Sequence, residues 1–194
     1  MSQFQSLRNH FLIAMPHLED THFSGTVTYI CEHNKEGALG IVINKTLAQL
    51  PVSELFAQLE LPNPNSGLSE SEEIVPAIFE GGPVHHERGF IIHTGGSEKW
   101  ESSMQVSDEL ALTTSVDILD AIANLQGPKQ FLIALGCAGW EGGQLERELQ
   151  ENAWLTCPAT LPVLFEAEPE QKLQAAAGLL GVDINLISSQ AGHA

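Results

Sequence analysis

Apolar residues in this chain gather in short blocks separated by polar, glycine- or proline-marked punctuation, and the period inside each block predicts its element. His10-Phe11-Leu12-Ile13-Ala14-Met15, after Asn9, is nearly continuous in apolar character and is closed by Pro16, so a buried strand is expected. Thr26-Val27-Thr28-Tyr29-Ile30-Cys31 is rich in β-branched residues and predicts a second strand. The stretch from His33 to Gly37 predicts a hairpin-like loop, and Leu39 to Ile43 a returning third strand. Val52, Leu55, Phe56 and Leu59 recur at i, i+3, i+4 and i+7, so a short helix follows Pro51.

The stretch 62–76 is dominated by Pro, Asn, Ser, Gly and Glu and predicts a mobile loop with almost nothing to bury. Ile78 to Glu80 and Phe90 to His93 flank Gly81-Gly82-Pro83-Val84 and read as another hairpin. Leu110 to Thr113 reads as an edge strand. Thr114 and Asp117 resemble a capping box that opens a helix with Ile118, Leu119, Ile122 and Leu125 on one face, stopped by Gly127-Pro128. Phe131 to Leu135 is a continuous apolar strand, expected at the centre of a sheet. A glycine loop, a helix from about Gln144 to Asn152 and a strand from Trp154 to Cys157 follow. Leu173, Ala176, Ala177 and Leu180 give the stripe of a last helix between Pro169 and Gly181. No repeat or linker divides residues 1–194, so one α+β domain is expected, with a mixed, mostly antiparallel sheet.

Composition narrows the function classes. At 194 residues and 43% hydrophobic, the chain has material for a core. No apolar run approaches the ~18 residues of a membrane-spanning helix, and Met1 to Arg8 lacks the apolar region of a signal peptide, so a cytoplasmic protein is expected. Twenty-five Asp and Glu against eight Lys and Arg give a net charge of −17. That balance repels phosphate backbones and anionic lipid, so neither direct nucleic-acid binding nor membrane association is expected. It serves solubility, or suits a basic partner or cationic ligand. Cys31, Cys137 and Cys157 are odd in number and far apart, which fits neither a disulfide framework nor a zinc motif.

Gly136-Cys137-Ala138-Gly139-Trp140-Glu141-Gly142-Gly143-Gln144-Leu145 is the segment richest in candidate chemistry. Glycines between a strand and a helix permit close backbone approach, but the pattern is neither a phosphate-binding loop nor a nucleophile elbow. It reads either as a binding loop or as a tight reversal anchored by a buried Trp140. Cys137 at a helix start could be an activated thiol, yet no histidine lies near it in sequence, and inert core is the simpler reading. His85 and His86 are adjacent, would point to opposite faces of a strand and make a poor chelating pair, so no metal is expected. Glu146, Glu148 and Glu151 read as a solvated helix face. The binding hypothesis that follows joins the two glycine-rich segments into one surface. Its residues are Asn44, Gly81, Gly82, Pro83, His93, Gly139, Trp140, Gly143 and Gln144, with Trp140 as anchor.

Several stretches together carry a resemblance. They are Asn9 to Pro16; Tyr29-Ile30-Cys31-Glu32-His33-Asn34 with Gly37, Gly40 and Asn44; Gly81-Gly82-Pro83-Val84 with Arg88-Gly89-Phe90; Gly139-Trp140-Glu141 with Gly143-Gln144-Leu145-Glu146; Asn152-Ala153-Trp154-Leu155; and the terminal Ala191-Gly192-His193-Ala194. Over nearly its whole length the chain resembles the YqgE/AlgH family. The resemblance implies a bacterial cytosolic α+β protein whose sheet curls toward a small barrel surrounded by helices. It implies a role in transcriptional regulation, linked by name to alginate control, and brings no cofactor, catalytic residue or helix-turn-helix. The expected function is therefore a monomeric regulatory protein acting indirectly through a protein partner or small ligand. The alternative is an enzyme of unassigned class with a cleft near Cys137, Trp140 and His93.

Overall fold

The strands predicted from apolar blocks assemble, in the computed structural model, into one nine-stranded sheet. Residues 4–18 and 22–190 are described; the terminal Ala191-Gly192-His193-Ala194 stretch lies outside them. The elements run β1 His10–Ala14, β2 Val27–Asn34, β3 Gly37–Val42, α1 Val52–Gln58, β4 Ile78–Glu80, β5 Val84–Thr94, β6 Ser103–Gln105, β7 Leu110–Thr113, α2 Asp117–Ala123, β8 Phe131–Glu141, α3 Gln144–Gln150, β9 Trp154–Pro158, α4 Lys172–Gly178 and α5 Ile184–Gln190. The strand order is β6-β7-β5-β8-β3-β2-β1-β9, with β4 also against β8. Every pairing is antiparallel except β4 with β8. The fold is mixed α+β, a curled half-barrel sheet with several helices.

Strand β8 organises the molecule. Its first half pairs with β5 on one side and β4 on the other, and its second half, Ala138 to Glu141, pairs with β3. One apolar cluster joins Phe11, Tyr29, Ile41 and Phe90 to Ala176 and Ala177 of α4. A second packs α1 and α2, through Leu55, Phe56, Ile118 and Ile122, over Ile91 and Ile133. A third gathers Leu12, Trp140, Leu145 and Trp154 beside α3.

Several sequence expectations are corrected by this topology. Ile78–Glu80 and Phe90–His93 do not form a hairpin with each other; they flank β8 from opposite sides, so Gly81-Gly82-Pro83 carries the chain across β8. Backbone lies on backbone at the crossing: a Cβ on Gly81 would sit 2.2 Å from the Gly136 carbonyl oxygen, and one on Gly82 2.3 Å from the Cys137 carbonyl carbon. These glycines serve a close approach rather than a turn. Residues 136–141, expected as a loop, are the second half of β8, with Gly136 at φ +79 marking the crossing point. Leu110–Thr113 lies inside the sheet, because the short β6 covers it as the edge. The hairpin after β2 is tighter than expected: Glu32 and Asn34 face out and His33 faces in, so strand alternation runs on to Asn34.

The segment 62–76 does contribute to the core. Val75 is buried, and the Asn65 side chain ties the loop by accepting from the Ile74 and Val75 N–H groups and donating to the Val75 carbonyl. The helix start is not the Thr114–Asp117 box. Asp117 itself accepts from the Ser115 hydroxyl at 2.5 Å and from the Ile118 and Glu101 N–H groups.

Candidate functional site

The end of β8, where the sequence places its anchor, is closed. Trp140 is 6% exposed. Its indole N–H donates to Glu148 Oε2 at 2.9 Å, and Trp154 donates to the same oxygen at 2.8 Å. Gln144 Nε2 fills the other carboxylate oxygen at 3.0 Å, while Gln144 Oε1 accepts from the Glu141 N–H. Phe23 stacks on Trp140 with 5.9 Å between ring centroids, and Trp154 meets Trp140 edge-on at 6.1 Å. Glu148 is thus a buried-indole acceptor, not part of a solvated face. Gly143, at φ +79, turns the chain into α3. Gly139 is exposed, but the strand geometry there gives it no loop to shape.

The remaining candidates fall in separate places. Asn44 is a structural tie: its side chain accepts from the Val27 N–H and donates to the Gly25 carbonyl, both at 2.9 Å. Gly81 and Gly82 are buried in the crossing described above. His93 is fully buried opposite Phe131 at the far end of β8 from Trp140, so Cys137, Trp140 and His93 share no cleft.

A different part of the surface is open. A groove of about 460 Å³ lies over the apolar side chains of Leu39, Phe90, Met104 and Leu112, with Cys137 also in its wall. Arg88, His85, Ser102, Ser103 and Thr114 supply its polar groups. Arg88 donates from Nη2 to Thr114 Oγ1 at 3.2 Å and lies over the Phe90 ring at 5.7 Å, which leaves most of the guanidinium's five donors without a partner among the described residues. Arg88 and Thr114 also line an apolar pocket of about 240 Å³ walled by Leu55, Leu59, Ile91 and Leu119.

His93 reaches this groove indirectly. Its Nδ1 lies 3.1 Å from the Thr94 carbonyl, so that nitrogen carries the hydrogen and Nε2 accepts from Thr113 Oγ1 at 2.7 Å. Thr113 is in turn hydrogen-bonded to Ser103 Oγ. The chain Ser103–Thr113–His93 therefore orients the Ser103 hydroxyl proton inward and leaves its lone pairs for the groove.

Comparison with known proteins places the chain in a family. Residues 11–185 match the family model described as AlgH-like. A UPF0301 protein of Chromohalobacter salexigens is 51% identical over 189 residues, covering 97% of this chain and 99% of that one. The UPF0301 protein AlgH of Pseudomonas aeruginosa is 47% identical over 194 residues, covering 97% and 96%. The chain belongs to the AlgH-like family. The solution structure of AlgH from P. aeruginosa superposes with a TM-score of 0.76 at 47% identity over 100% of both chains. A crystal structure of a Corynebacterium diphtheriae protein shares the fold alone, with a TM-score of 0.72 at 18% identity over 97% of this chain and 94% of that one.

Within this AlgH-like chain, burial decides the state of the titratable groups near the groove. It lowers the His93 pKa, the Thr94 bond pulling the other way, which keeps the ring neutral in the relay. Burial also raises the Cys137 thiol, with Arg88 drawing it partly back, so Cys137 rests as a thiol rather than a thiolate nucleophile. Sequence reasoning did not single out Arg88, Ser103 and Thr114, which line the open groove. The available signal was Arg88 itself, one of eight Lys and Arg in an acidic chain and part of the Arg88-Gly89-Phe90 stretch.

Proposed function

We propose that this AlgH-like protein is a regulatory protein that holds a small anionic ligand in the Arg88 groove and acts on transcription indirectly, through a protein partner that reads the loaded surface. The reading includes a cytoplasmic, monomeric protein without a cofactor. The observation that carries it is the groove's chemistry: the Arg88 guanidinium, the hydroxyls of Ser102 and Thr114 and the His85 ring set above an apolar floor. Such a combination binds a planar anion with an apolar body, because the donors orient the charge while the floor removes water from the remainder. Of the residues first expected to form the site, the Gly82-Pro83 crossing adjoins the groove through Cys137, and His93 reaches it through Thr113 and Ser103. The −17 charge opposes a phosphate backbone, and no described helix is long and apolar enough to cross a membrane.

The test uses benzoate, phenyl phosphate and inorganic phosphate as probes, followed by amide NMR shifts. Shifts centred on Arg88, Ser103 and Thr114, lost in Arg88→Gln, support the reading. Shifts elsewhere, or equal shifts in the variant, oppose it. Fluorescence anisotropy with duplex DNA is expected to show no micromolar binding at physiological salt.

The Ser103–Thr113–His93 chain favours a second reading, an enzyme using Ser103 Oγ as nucleophile with His93 receiving the proton through Thr113. A fluorophosphonate probe separates the two. Labelling of Ser103 that is lost in His93→Gln would establish the enzyme, and an unlabelled Ser103 leaves the groove as a binding site.

A further inference from the structure

Away from the Arg88 groove, a cavity of about 350 Å³ lies between β8, β4 and the turn that precedes α4. Its walls include Phe79, Phe131, Leu164 and Phe165, and its rim carries Glu166, Glu168 and Glu170. Lys172, the first residue of α4, is also in the wall and is only 3% exposed. A lysine is almost never so deeply buried without an ion-pair partner. Here no carboxylate bonds it among the described residues. Its Nζ donates to the Leu164 carbonyl at 2.7 Å and lies 4.9 Å from the Phe79 ring centroid. That carbonyl belongs to a single π-turn, Pro162–Glu166, an irregular element found disproportionately at functional sites.

We propose that Lys172 is a covalent carbonyl-binding residue, whose ε-amine condenses inside this cavity with an uncharged aldehyde to form an imine. The amine lone pair attacks the carbonyl carbon, the carbonyl π electrons pass to oxygen, and one proton moves from the nitrogen to that oxygen to give the carbinolamine. The carbinolamine then loses that oxygen as water while the nitrogen gives up a proton, so amine and aldehyde become imine and one water. No oxidant or reductant is needed. The three phenylalanines suit an aromatic or aliphatic body, and the three rim glutamates oppose a carboxylate or phosphate on it. A neutral amine keeps the Leu164 bond through one N–H and retains its lone pair for the electrophile. Burial pushes the Lys172 ammonium down to about 8, with Glu168 acting in the opposite direction. At pH 7 that leaves roughly 10% of the amine neutral, against about 0.03% for an ordinary lysine. This site is independent of the Arg88 groove.

The experiment treats the full-length protein at pH 7 with benzaldehyde and cyanoborohydride, which fixes an imine as a benzylamine, and maps adducts by peptide mass spectrometry. Lys172 is expected to label at least ten-fold faster than Lys35, Lys45, Lys99 and Lys129, and 4-carboxybenzaldehyde to label it more slowly than benzaldehyde. Lys172→Met loses the adduct. Ala77→Leu, which narrows the cavity but keeps the lysine, slows labelling of Lys172 and leaves the other four unchanged. An unmodified Lys172 beside four labelled lysines, or equal rates at all five, overturns the proposal. So does unchanged labelling in Ala77→Leu, which would put the reaction outside the cavity.

Discussion

Two regions that meet along β8 use polar groups in opposite ways. At the Trp140 end, each indole N–H and both Glu148 oxygens have partners inside the protein, and three aromatic rings fill the space between them. At the Arg88 groove, a guanidinium makes one side-chain hydrogen bond among the described residues and faces open space. The first arrangement stores stability and has nothing left to offer a ligand. The second contributes little to stability and keeps its donors available. Tryptophan and glycine in the sequence point toward the first region, while the capacity to bind lies in the second.

The contrast is tested most severely where the two regions meet. Gly82 sits at φ +150 with its missing Cβ 2.3 Å from the Cys137 backbone, directly behind the groove wall. Gly82→Ala therefore has to displace β8 itself, and a loss on the order of 4 kcal/mol or more is expected. Urea denaturation, or failure to recover folded protein, checks this. A fully stable variant would mean that the crossing is looser than the backbone contacts indicate, and that the groove wall is not fixed.

Trp140→Ala comes next. Its expected cost is roughly 3–5 kcal/mol, as for other buried aromatic truncations, with no change in the response of the groove to benzoate. A cost near zero together with a lost response would reverse the comparison and restore Trp140 as a ligand anchor. Glu148→Leu probes the same closure from the other side, because it strands two indole N–H groups at roughly 1–3 kcal/mol each.

How much of this was legible in the sequence depends on the range over which each feature is encoded. Period and punctuation identify β1, α1 and α4, because Phe11–Ala14 is a continuous apolar run buried on both sides of the sheet, while the Val52–Leu59 spacing and Ala176–Ala177 each turn one helix face to the core. The second half of β8 reads as a loop in the sequence because its glycines answer to a chain 54 residues earlier, Gly82 against Gly136, and no local window contains both. The groove was illegible for the same reason. Leu39, Arg88, Ser103, Thr114 and Cys137 come from five segments that only the sheet order brings together. Lys172 was invisible because a lysine beside an apolar stripe reads as solvent-facing unless the π-turn that receives it is known.

A smaller effect is expected at His33, which extends the closed region to the N-terminal segment. Its Nδ1 accepts from the Leu7 N–H at 2.9 Å and its Nε2 donates to Glu146 at 2.9 Å, two residues before Glu148 on α3. His33→Ala removes both bonds, and a loss of about 1–2 kcal/mol is expected. Amide exchange at Leu7 should rise while exchange in β5 and β7 stays unchanged. Faster exchange throughout the sheet would show that the two regions are not energetically separate.

The smallest effect on stability, and the one that defines the open region, belongs to Arg88→Gln. Arg88 is exposed, its one side-chain hydrogen bond among the described residues goes to Thr114 at the surface, and its contact with Phe90 is a surface cation–π contact worth roughly 0.5–1 kcal/mol. Removing a positive charge from a chain of net charge −17 adds a little self-repulsion, which salt screens. Glutamine keeps much of the stem over Phe90 and can still donate to Thr114, so the net change in stability at physiological salt is expected within about 0.5 kcal/mol. The same substitution removes the charge and the fork that would hold an anion, and benzoate binding should fall at least ten-fold. A variant that loses several kcal/mol would mark Arg88 as a structural tie like Glu148, and the two regions would then differ in exposure but not in kind. A variant that stays stable and also binds benzoate unchanged would leave the groove open but without its recognition element.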